Sequence, residues 1–471
     1  MFGVLGFVGV LGLVTALVHL YLWKRLVRDT TARGRWRRVG TVAAVVLALL
    51  TPVTMIGTRQ GFYWLAWPGY LWLALMFYLL VVLVVLEPPM LVARLVLSRR
   101  SRRRAGGQAG PADAETPQPV SGPAGTEPVA VPAGAGEAAA AGTAGAASDT
   151  AAPAGPAGAA SGSAGASSTG EAAGAATTAD TPPPPRTPPA EPGFDPDRRR
   201  LLARGAAIFA GLTATGIVGY GVRTALGPPR LDRVQIPLAK LPRSMDGLRI
   251  ATVSDIHIGP LAGREHTERV VAAINRLDAD LVAVVGDLVD GTVAELGEAA
   301  APLRDIRSRY GSFFVTGNHE YYSGAEEWVA EVDRLGLRVL QNERQEILVR
   351  GGALDLAGVN DPAGDGIGQG PDFEAALGGR DPSRPVVLLA HQPINVHEAA
   401  RHGVDLQLSG HTHGGQIVPF NLLVSLQQPA VSGYATIDGT QLYVTNGAGF
   451  WGPPVRVGAP PQVTLVELRA V

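Results

Sequence analysis

Three long segments without a charged residue limit what the amino-terminal part of this chain can fold into. The first, residues 2–22, reads FGVLGFVGVLGLVTALVHLYL, the second covers about residues 39–58, and the third about residues 60–86. Each is long enough to cross a hydrocarbon layer of roughly 30 Å as a helix. Aromatic residues near the start of the third segment are typical of a membrane interface. The sequence therefore predicts three transmembrane helices within residues 1–104, with buried helices of a large soluble core as the alternative.

Basic residues cluster at the ends of these segments and predict how the chain crosses a membrane. Clusters of Lys and Arg follow the first segment, precede the second, follow the third and precede a fourth apolar run at about residues 205–222. Because Lys and Arg beside transmembrane helices stay in the cytoplasm, a single topology puts every cluster on that side. We expect a multi-pass protein of the cell membrane whose N-terminus, and whose residues after Gly227, are extracytoplasmic.

The fourth apolar run has two interpretations. It begins DRRRLLARG at Asp197, so Arg198 and Arg199 stand where a twin-arginine export signal carries its arginine pair. An ordinary fourth transmembrane helix with basic flanks is the alternative, and both send the following residues to the same side. Residues 196–227 are therefore interpreted as a twin-arginine-like signal or a fourth transmembrane helix, and the sequence does not tell whether it is cleaved.

Residues 105–195 differ in composition from the segments around them. Ala, Gly, Pro, Ser and Thr dominate, and positions 105–193 contain no Leu, Ile, Met or aromatic residue. Such a segment cannot bury enough apolar surface to offset the entropy that it loses on ordering. The sequence predicts a disordered linker here.

The composition excludes several classes of site. The chain has no Cys, so disulfide frameworks and Cys-based zinc or redox sites are impossible. Its formal net charge of −1 argues against nucleic acid as the main partner. Nine His residues remain as the nitrogen ligands that a metal site would use.

Residues 228–471 alternate between strand and helix patterns, as is typical of an α/β domain. Apolar, β-branched runs predict five buried strands, at residues 248–255, 280–287, 312–320, 384–393 and 404–413. Apolar residues at helical spacing predict a helix over residues 266–277. The stretches YATIDGTQLYVTN and QVTLVEL predict further antiparallel strands. We expect two packed sheets flanked by helices.

Each of the five predicted strands ends in side chains that can bind a metal ion. These are Asp255 and His257, then Asp287, then Asn318 and His319, then His391, then His411 and His413. Any one of them alone has a structural explanation as a cap, a turn former or a core histidine. Because the carboxyl ends of strands in an α/β sheet meet at one edge, together they predict a metal site. The other four histidines, on helices or in a membrane segment, are interpreted as structural: His19, His266, His397 and His402.

Five short blocks around these residues resemble the signature blocks of the calcineurin-like metallophosphoesterases. In chain order they read DIHIG, GDLVDG, GNHEYY, AHQP and SGHTHGGQ, and the resemblance covers roughly residues 245–465. More narrowly, DGLRIATVSDIHIG and VDLQLSGHTHGGQ resemble the membrane-tethered branch, which includes transmembrane proteins with a metallophosphoesterase domain and UDP-2,3-diacylglucosamine hydrolase-like and twin-arginine-exported phosphoesterases. The resemblance implies a four-layer α/β/β/α sandwich over residues 228–471 and does not reach the first 195 residues, where apolar runs and composition predict transmembrane helices and a disordered linker.

The resemblance also implies a role for each ligand-type residue. Two overlapping ligand sets follow, one for each divalent metal: Asp255, His257, Asp287 and His413, and then Asp287, Asn318, His391 and His411. Asp287 would bridge the two ions, and His319 would be the catalytic acid that protonates the leaving group. Mixed nitrogen and oxygen ligands suit Zn, Mn or Fe, and the sequence does not choose among them.

We therefore expect a membrane-anchored, metal-dependent hydrolase in which a metal-activated hydroxide attacks a phosphoester or pyrophosphate. The outward-facing domain suggests a phosphorylated lipid or an envelope precursor as substrate, with the lipid bilayer as a second partner. A non-catalytic membrane scaffold or receptor and a cytoplasm-facing nucleotide phosphodiesterase are the alternatives. Monoesterases, diesterases and pyrophosphatases share this metal core and differ in loops such as residues 358–381, where Asp361 and Asp365 are candidates to line a pocket. The oligomeric state and the role of the three N-terminal helices stay open.

Overall fold

The computed structural model of this chain describes residues 2–106 and 196–471. The predicted linker at residues 105–195 lies outside the described residues, apart from its first two positions. The described part consists of four long helices and a domain of two β-sheets.

The four long helices coincide with the apolar runs of the sequence. They are α1 (Phe2–Leu22), α2 (Arg35–Arg59), α3 (Ala66–Gly106) and α4 (Pro196–Leu226), with a π-helical segment at Trp23–Arg28. Among the described residues, three segments are long and apolar enough to cross a membrane: Arg35–Arg59, Tyr63–Leu97 and Asp197–Leu226. The second, third and fourth predicted apolar runs are thus helices of spanning length, and α1 lies at the position of the first.

The first sheet has six strands. In spatial order they are β1 (Arg230–Leu238), β12 (Gln462–Ala470), β2 (Leu248–Val253), β3 (Leu281–Val285), β4 (Ser312–Val315) and β5 (Arg338–Val339). Strands β2 to β5 run parallel, whereas β12 lies antiparallel to β2, as the sequence predicts. Side chains alternate along β3, so Leu281 and Val285 face the second sheet while Val282 and Val284 face a helical layer.

The second sheet also has six strands. In spatial order they are β10 (Gly433–Ile437), β11 (Thr440–Val444), β9 (Leu406–Ser409), β8 (Val386–Leu389), β7 (Gly352–Gly358) and β6 (Glu343–Val349). Strands β11, β9, β8 and β7 run parallel, and the antiparallel β10 and β6 form the edges. The predicted hairpin is the β10–β11 pair, and the β6–β7 hairpin is an addition that the sequence interpretation did not include.

Helices cover the outer face of each sheet. Helices α5 (Arg264–Asn275), α6 (Val293–Ala300) and α8 (Ala325–Arg334) pack on the first sheet, and α9 (Phe373–Leu377) and α10 (Val396–Arg401) pack on the second. A separate apolar core, with Ile250, Phe313 and Leu406 among its members, fills the space between the sheets. The predicted four-layer α/β/β/α arrangement is confirmed.

The five predicted strands are present, but all of them end before the ligand-type residues. The prediction of a strand as far as residue 320 is wrong, because β4 ends at Val315 and Asn318 begins the short helix α7 (Asn318–Ser323). The Glu320 carboxylate accepts the Gly317 N–H at 2.6 Å, which caps this helix. Asn318 and His319 therefore lie at a helix start rather than on a strand.

Helices α3 and α4 pack directly against loops of the two-sheet domain. Val455, in the loop before β12, is buried in an apolar cluster with Leu79 of α3 and Ala214 of α4. The Tyr78 hydroxyl of α3 donates to the Val418 carbonyl at 3.0 Å. The loops that contact these helices are the same loops that border the site described next.

Candidate metal centre

All eight sequence-predicted site residues line one site at the carboxyl edge of the two sheets. The first sheet contributes the loops after β2, β3 and β4, and the second contributes the loops after β8 and β9. Asn318 contacts His411 of the site. The Asp290 carboxylate contacts both His319 and His257, which brings His319 to the site. The other six residues fall into two clusters that could each hold a metal ion.

Asp255, His257 and His413 form the first cluster, with one ligand atom of each within 4.8 Å of the others. Nε2 of His257 and Nε2 of His413 face each other at 3.0 Å. Nε2 of His413 also lies 3.4 Å from Oδ1 of Asp255, and Nε2 of His257 lies 3.8 Å from Oδ2 of Asp287. Two imidazole nitrogens and two carboxylates thus converge in a buried space.

Asp287, His391 and His411 form the second cluster, again within 4.8 Å. Oδ2 of Asp287 lies 3.1 Å from Nε2 of His391, and Nδ1 of His411 lies 3.0 Å from Oδ1 of Asn318. The oxygen of Asp287 that approaches His391 is the one that approaches His257 in the first cluster. The His411 and His413 pair is therefore divided between the clusters, and Asp287 touches both.

Opposite charges stabilise each other in the second cluster. Burial alone would raise the pKa of the Asp287 carboxyl, but the His391 imidazole beside it outweighs burial and holds that pKa well below its usual range. The same pairing raises the pKa of His391 well above its ordinary value, although burial opposes it. His411 is different, because burial and then the charge of His391 lower its pKa to about 3. The charged His391 imidazole therefore balances the Asp287 carboxylate, and a metal ion bound there would supply that positive charge instead.

A hydrogen bond on the far side of the His391 ring directs its Nε2 into the site. Nδ1 of His391 donates to the Val285 carbonyl at 2.8 Å. Within the described part of the chain, Nε2 of His391 is buried and has only Asp287 beside it, at 3.1 Å and without the alignment of a good hydrogen bond. Burying such a pair is costly, and a metal ion between the two ligand atoms would complete the site. The nitrogen and oxygen donors therefore fit divalent ions such as Zn, Mn or Fe.

Asp290 orients two of the histidines, and the sequence interpretation missed it. Its Oδ1 lies 2.8 Å from Nδ1 of His257 and 2.7 Å from Nδ1 of His319. Burial opposes the charge on Asp290, but His257 outweighs it and lowers the pKa of the carboxyl. Because Asp290 accepts both Nδ1–H groups, Nε2 of each ring is directed elsewhere. The signal was present in the block GDLVDG, where Asp290 follows Asp287 by three positions.

Glu320 joins the loops after β3 and β4, and it too was missed. Its buried carboxylate accepts backbone N–H groups of Asp287 at 3.0 Å, Leu288 at 2.7 Å and Gly317 at 2.6 Å. Burial, followed by the charge of Asp287, raises the pKa of Glu320 to about 7. A side chain at Gly317 would collide with Asp287, since a Cβ there would lie 2.3 Å from its Oδ1. Close approach of the two loops thus depends on this glycine and this glutamate.

Arg456 is the third residue that the sequence interpretation missed. It is fully buried and lies beside His413, with Nη1 donating to the His413 carbonyl at 2.8 Å and Nη2 lying 3.0 Å from Nδ1 of that ring. Burial and then the Arg456 charge lower the pKa of His413 well below its ordinary value. A neutral His413 keeps a nitrogen available for coordination. No local pattern distinguishes this arginine from the surface arginines of the chain.

The two candidate pocket aspartates differ from each other. Asp361 is buried, and both of its oxygens lie 3.0 Å from Nε2 of Gln392, the residue after His391. Burial raises the pKa of Asp361. Asp365 is exposed on the 3₁₀ turn that follows. Of the pair, Asp361 belongs to the surroundings of the metal centre.

The other four histidines have partners of their own. His266 contacts the Ile256 carbonyl at 3.1 Å, and His19 contacts the Thr15 carbonyl at 2.8 Å. His397 pairs with Asp438 at 2.6 Å, and His402 lies 3.4 Å from Glu398. In the structure as described, none of the four belongs to a group of possible metal ligands.

Comparison with known proteins agrees with this geometry. Residues 248–415 match the family model described as calcineurin-like phosphoesterase. A Danio rerio protein named transmembrane protein with metallophosphoesterase domain is 39% identical over 260 residues, which are 53% of this chain and 60% of that protein. A Bos taurus protein of the same name is 39% identical over 287 residues, 58% of this chain and 64% of that protein. The chain thus spans less than two thirds of the length of these two relatives.

A bacterial relative is covered more fully. An uncharacterized metallophosphoesterase of Helicobacter pylori is 38% identical over 274 residues, which are 58% of this chain and 72% of that protein. The family match, this coverage and the two convergent ligand clusters lead to one conclusion. This chain belongs to the calcineurin-like metallophosphoesterases, a family of metal-dependent phosphoester hydrolases.

Proposed function

We propose that this chain is a membrane-anchored phosphoesterase that uses two divalent metal ions. The observation that carries the proposal is the convergence of ligand atoms from five separate strand ends, with Asp287 contacting a histidine of each cluster. A non-catalytic scaffold would not need to keep such a set, because buried carboxylates and histidines are costly without a ligand.

The proposed ligand sets follow the two clusters. One ion is bound by Asp255, His257, Asp287 and His413, and the other by Asp287, Asn318, His391 and His411. The contact of Nδ1 of His411 with Asn318 supports this division, as does the pairing of His257 with His413. When bound, the two ions supply a hydroxide nucleophile and polarise the phosphoryl oxygens.

The residues of the chain supply positioning and a proton. His319, whose side chain is 15% exposed, is the proposed acid that protonates the leaving oxygen. Asp290 accepts from Nδ1 of His319, which leaves Nε2 to hold the transferable proton. The backbone N–H of His319 donates to Oδ1 of Asp287 at 2.9 Å, so the acid and the shared carboxylate are held in a fixed relation.

The proposed location of the catalytic domain is the extracytoplasmic face of the cell membrane. The support is the distribution of basic clusters together with three described helices of spanning length. Residues 196–227 act as a fourth transmembrane helix or as a twin-arginine-like export signal, and either gives this orientation. The domain limits proposed are residues 1–104, 105–195, 196–227 and 228–471. The substrate proposed is a phosphorylated lipid or an envelope precursor.

A substrate panel on the full chain tests the function. The purified chain, loaded with Mn²⁺ or Zn²⁺, is given an aryl phosphate monoester, an aryl phosphodiester, a pyrophosphate and a lipid phosphomonoester in vesicles. We expect metal-dependent hydrolysis of at least one class. No turnover with any metal and substrate would contradict the enzyme proposal and favour a scaffold or receptor.

The orientation has its own test, which does not depend on activity. Protease added to intact cells is expected to digest residues 228–471. Full protection of these residues, with digestion only after the cells are opened, would instead support a cytoplasm-facing nucleotide phosphodiesterase.

A further inference from the structure

Residues 418–426, here called the rim segment, form an exposed apolar loop with one short helix, Asn421–Val424, and they follow His411 and His413 in the chain. The segment reads VPFNLLVSL, and the uncharged stretch around it extends from residue 414 to residue 437. Leu422, Leu423 and Leu426 are 64, 57 and 79% exposed. Neighbouring large apolar side chains that face solvent mark an interaction surface.

The rim segment is attached to the apolar helices. Ile417, directly before it, packs against the buried cluster to which Leu79 and Val218 belong. The Val418 carbonyl accepts the Tyr78 hydroxyl at 3.0 Å. On the adjacent loop, the Arg456 N–H donates to the Gly221 carbonyl of α4 at 3.0 Å. The start of the rim segment is therefore held against the apolar helices α3 and α4.

The depth of the attachment along α3 locates the rim segment relative to a bilayer. Ala66 is the first residue of α3, so Tyr78 lies about 18 Å along the helix from its start. Residues 66–86 contain no charged side chain. The loop thus meets α3 inside its apolar part and not beyond its end.

Two exposed aromatic side chains lie beside the proposed acid, and the loop of one of them is joined to the residue two positions before the rim segment. The side-chain amide of Gln416 donates to the Trp451 carbonyl at 2.9 Å and accepts the Trp451 backbone N–H at 3.0 Å. These two bonds bring the two loops together. Trp451 is 55% exposed with its ring 6.2 Å from that of His319, and Tyr322 is 71% exposed at 5.5 Å. Trp and Tyr are the residues that favour the boundary between hydrocarbon and water.

We infer that the rim segment inserts into the lipid bilayer and opens the metal centre toward phosphoesters held in that bilayer. The bilayer is the occupant because the exposed leucines directly follow residues that contact α3 and α4 within the length of a membrane span. The apolar part of such a substrate stays in the lipid while its phosphoester reaches His319 past Trp451 and Tyr322. The choice of substrate rests on the proposed function, whereas the bilayer contact does not.

A single label tests the bilayer contact without using activity. Because the chain has no Cys, Leu423→Cys offers one thiol for an environment-sensitive fluorophore. Leu348→Cys is the matched control, since Leu348 is 67% exposed near the end of β6, at the edge of the sheet away from the metal centre. The full-length variants are placed in phosphatidylcholine and phosphatidylglycerol vesicles with a lipid that carries a nitroxide on its acyl chain.

The expected result is blue-shifted emission at position 423, strongly quenched by the nitroxide lipid and little by aqueous iodide, with the reverse pattern at position 348. Iodide quenching at both positions would overturn the inference. Protection of position 423 from both quenchers would also overturn it, because a second protein surface would then cover the loop.

A rate comparison tests the consequence for the substrate. Leu422→Gln/Leu423→Gln is expected to lower the ratio of the rate on a vesicle-borne phosphoester to the rate on a small soluble one by about tenfold. Leu348→Gln is expected to leave that ratio unchanged. An unchanged ratio in both variants would overturn the role in substrate access. If the wild type cleaves neither substrate, the proposed function fails, while the fluorescence result still decides the bilayer contact.

Discussion

Strand β3 has a buried aspartate near each end, and the two carboxylates are balanced in different ways. Asp280, before the strand, is 1% exposed and accepts the Arg249 backbone N–H at 2.9 Å and an Arg309 guanidinium N–H at 3.1 Å. Asp287, beyond the other end, is 2% exposed and lies 3.1 Å from His391. Arginine keeps its charge at any physiological pH, whereas histidine can exchange a proton for a metal ion. The same residue type is therefore structural at one end of the strand and suited to metal binding at the other.

The loops that form the metal centre also have an unusual backbone conformation. Five of the predicted ligands have left-handed φ angles: Asp255 (49°), His257 (48°), Asp287 (52°), His411 (70°) and His413 (53°). Non-glycine residues in this region are uncommon, and such strain persists where the surrounding structure enforces it. Hydrogen bonds from backbone N–H groups to carboxylates enforce these conformations; for example, Asp255 accepts the His411 N–H at 3.0 Å. The ligand positions are thus set by strained loops that the fold holds in place.

The largest expected effect is at Asp287, where Asp287→Asn removes the negative charge between the two clusters. Both metal ions are expected to be lost, and turnover is expected to fall by at least about 10³-fold, because the metals supply several kcal/mol of transition-state stabilisation. Elemental analysis and a phosphoester assay measure the two effects. Asp280→Asn, at the other end of β3, is the matched control that keeps its metals. Full metal content in Asp287→Asn would show that this carboxylate is not a shared ligand.

The second-largest expected effect on turnover is at His319, where a substitution tests proton donation separately from metal binding. His319→Asn is expected to lower kcat by about 10²- to 10⁴-fold, since a positioned acid contributes that much. Metal content should match the wild type, because the proposed ligand sets do not include this ring. A substrate whose leaving group needs no proton should be cleaved with a smaller loss. Loss of metal in this variant would instead make His319 a ligand.

Asp290→Asn tests the carboxylate that orients two rings. The amide keeps the shape of the side chain but removes the negatively charged oxygen that accepts the Nδ1–H groups of His257 and His319. We expect a fall in kcat of about 10- to 100-fold, as is usual for residues that support a metal site. Asp290→Glu should restore part of the rate, and the midpoint of thermal unfolding should change little. A rate equal to that of the wild type would mean that Asp290 has only a packing role.

The smallest expected effect on activity is at the opposite end of β3. Asp280→Asn should lower the free energy of unfolding by about 1–3 kcal/mol, because Arg249 and Arg309 lose a charged hydrogen-bond acceptor. Metal content and turnover of the folded protein should stay close to those of the wild type. Denaturant unfolding and the phosphoester assay together check this outcome. A large loss of turnover in folded Asp280→Asn would remove the distinction between the two ends of the strand.

Much of the site could be predicted because its residues follow strands that are themselves easy to recognise. Asp255, Asp287, His391 and His411 each come within a few positions of the end of a predicted strand, so their location at one edge follows from the parallel order of the strands. The two-sheet architecture could be predicted because the apolar runs of the strands are easy to recognise. Asn318 was placed on a strand, and the error arose because the short apolar run SFFV gives no signal of where β4 stops and α7 starts.

The rest of the site depends on contacts that local sequence does not encode. Arg456 reaches His413 across 43 positions, and Glu320 reaches Leu288 across 32. Their roles exist only once the loops are brought together. The rim segment was also missed, because nothing in VPFNLLVSL alone indicates what it contacts, and its interpretation depends on the hydrogen bond between Tyr78 and Val418.

Electron paramagnetic resonance of the full chain loaded with Mn²⁺ tests the central claim most directly. If Asp287 joins two ions in adjacent sites, the wild type should bind about two Mn²⁺ per chain and give the spectrum of an exchange-coupled pair. Asp280→Asn should give the same coupled spectrum, and Asp287→Asn should lose it. An isolated single-ion spectrum from the fully loaded wild type would contradict the two-metal account.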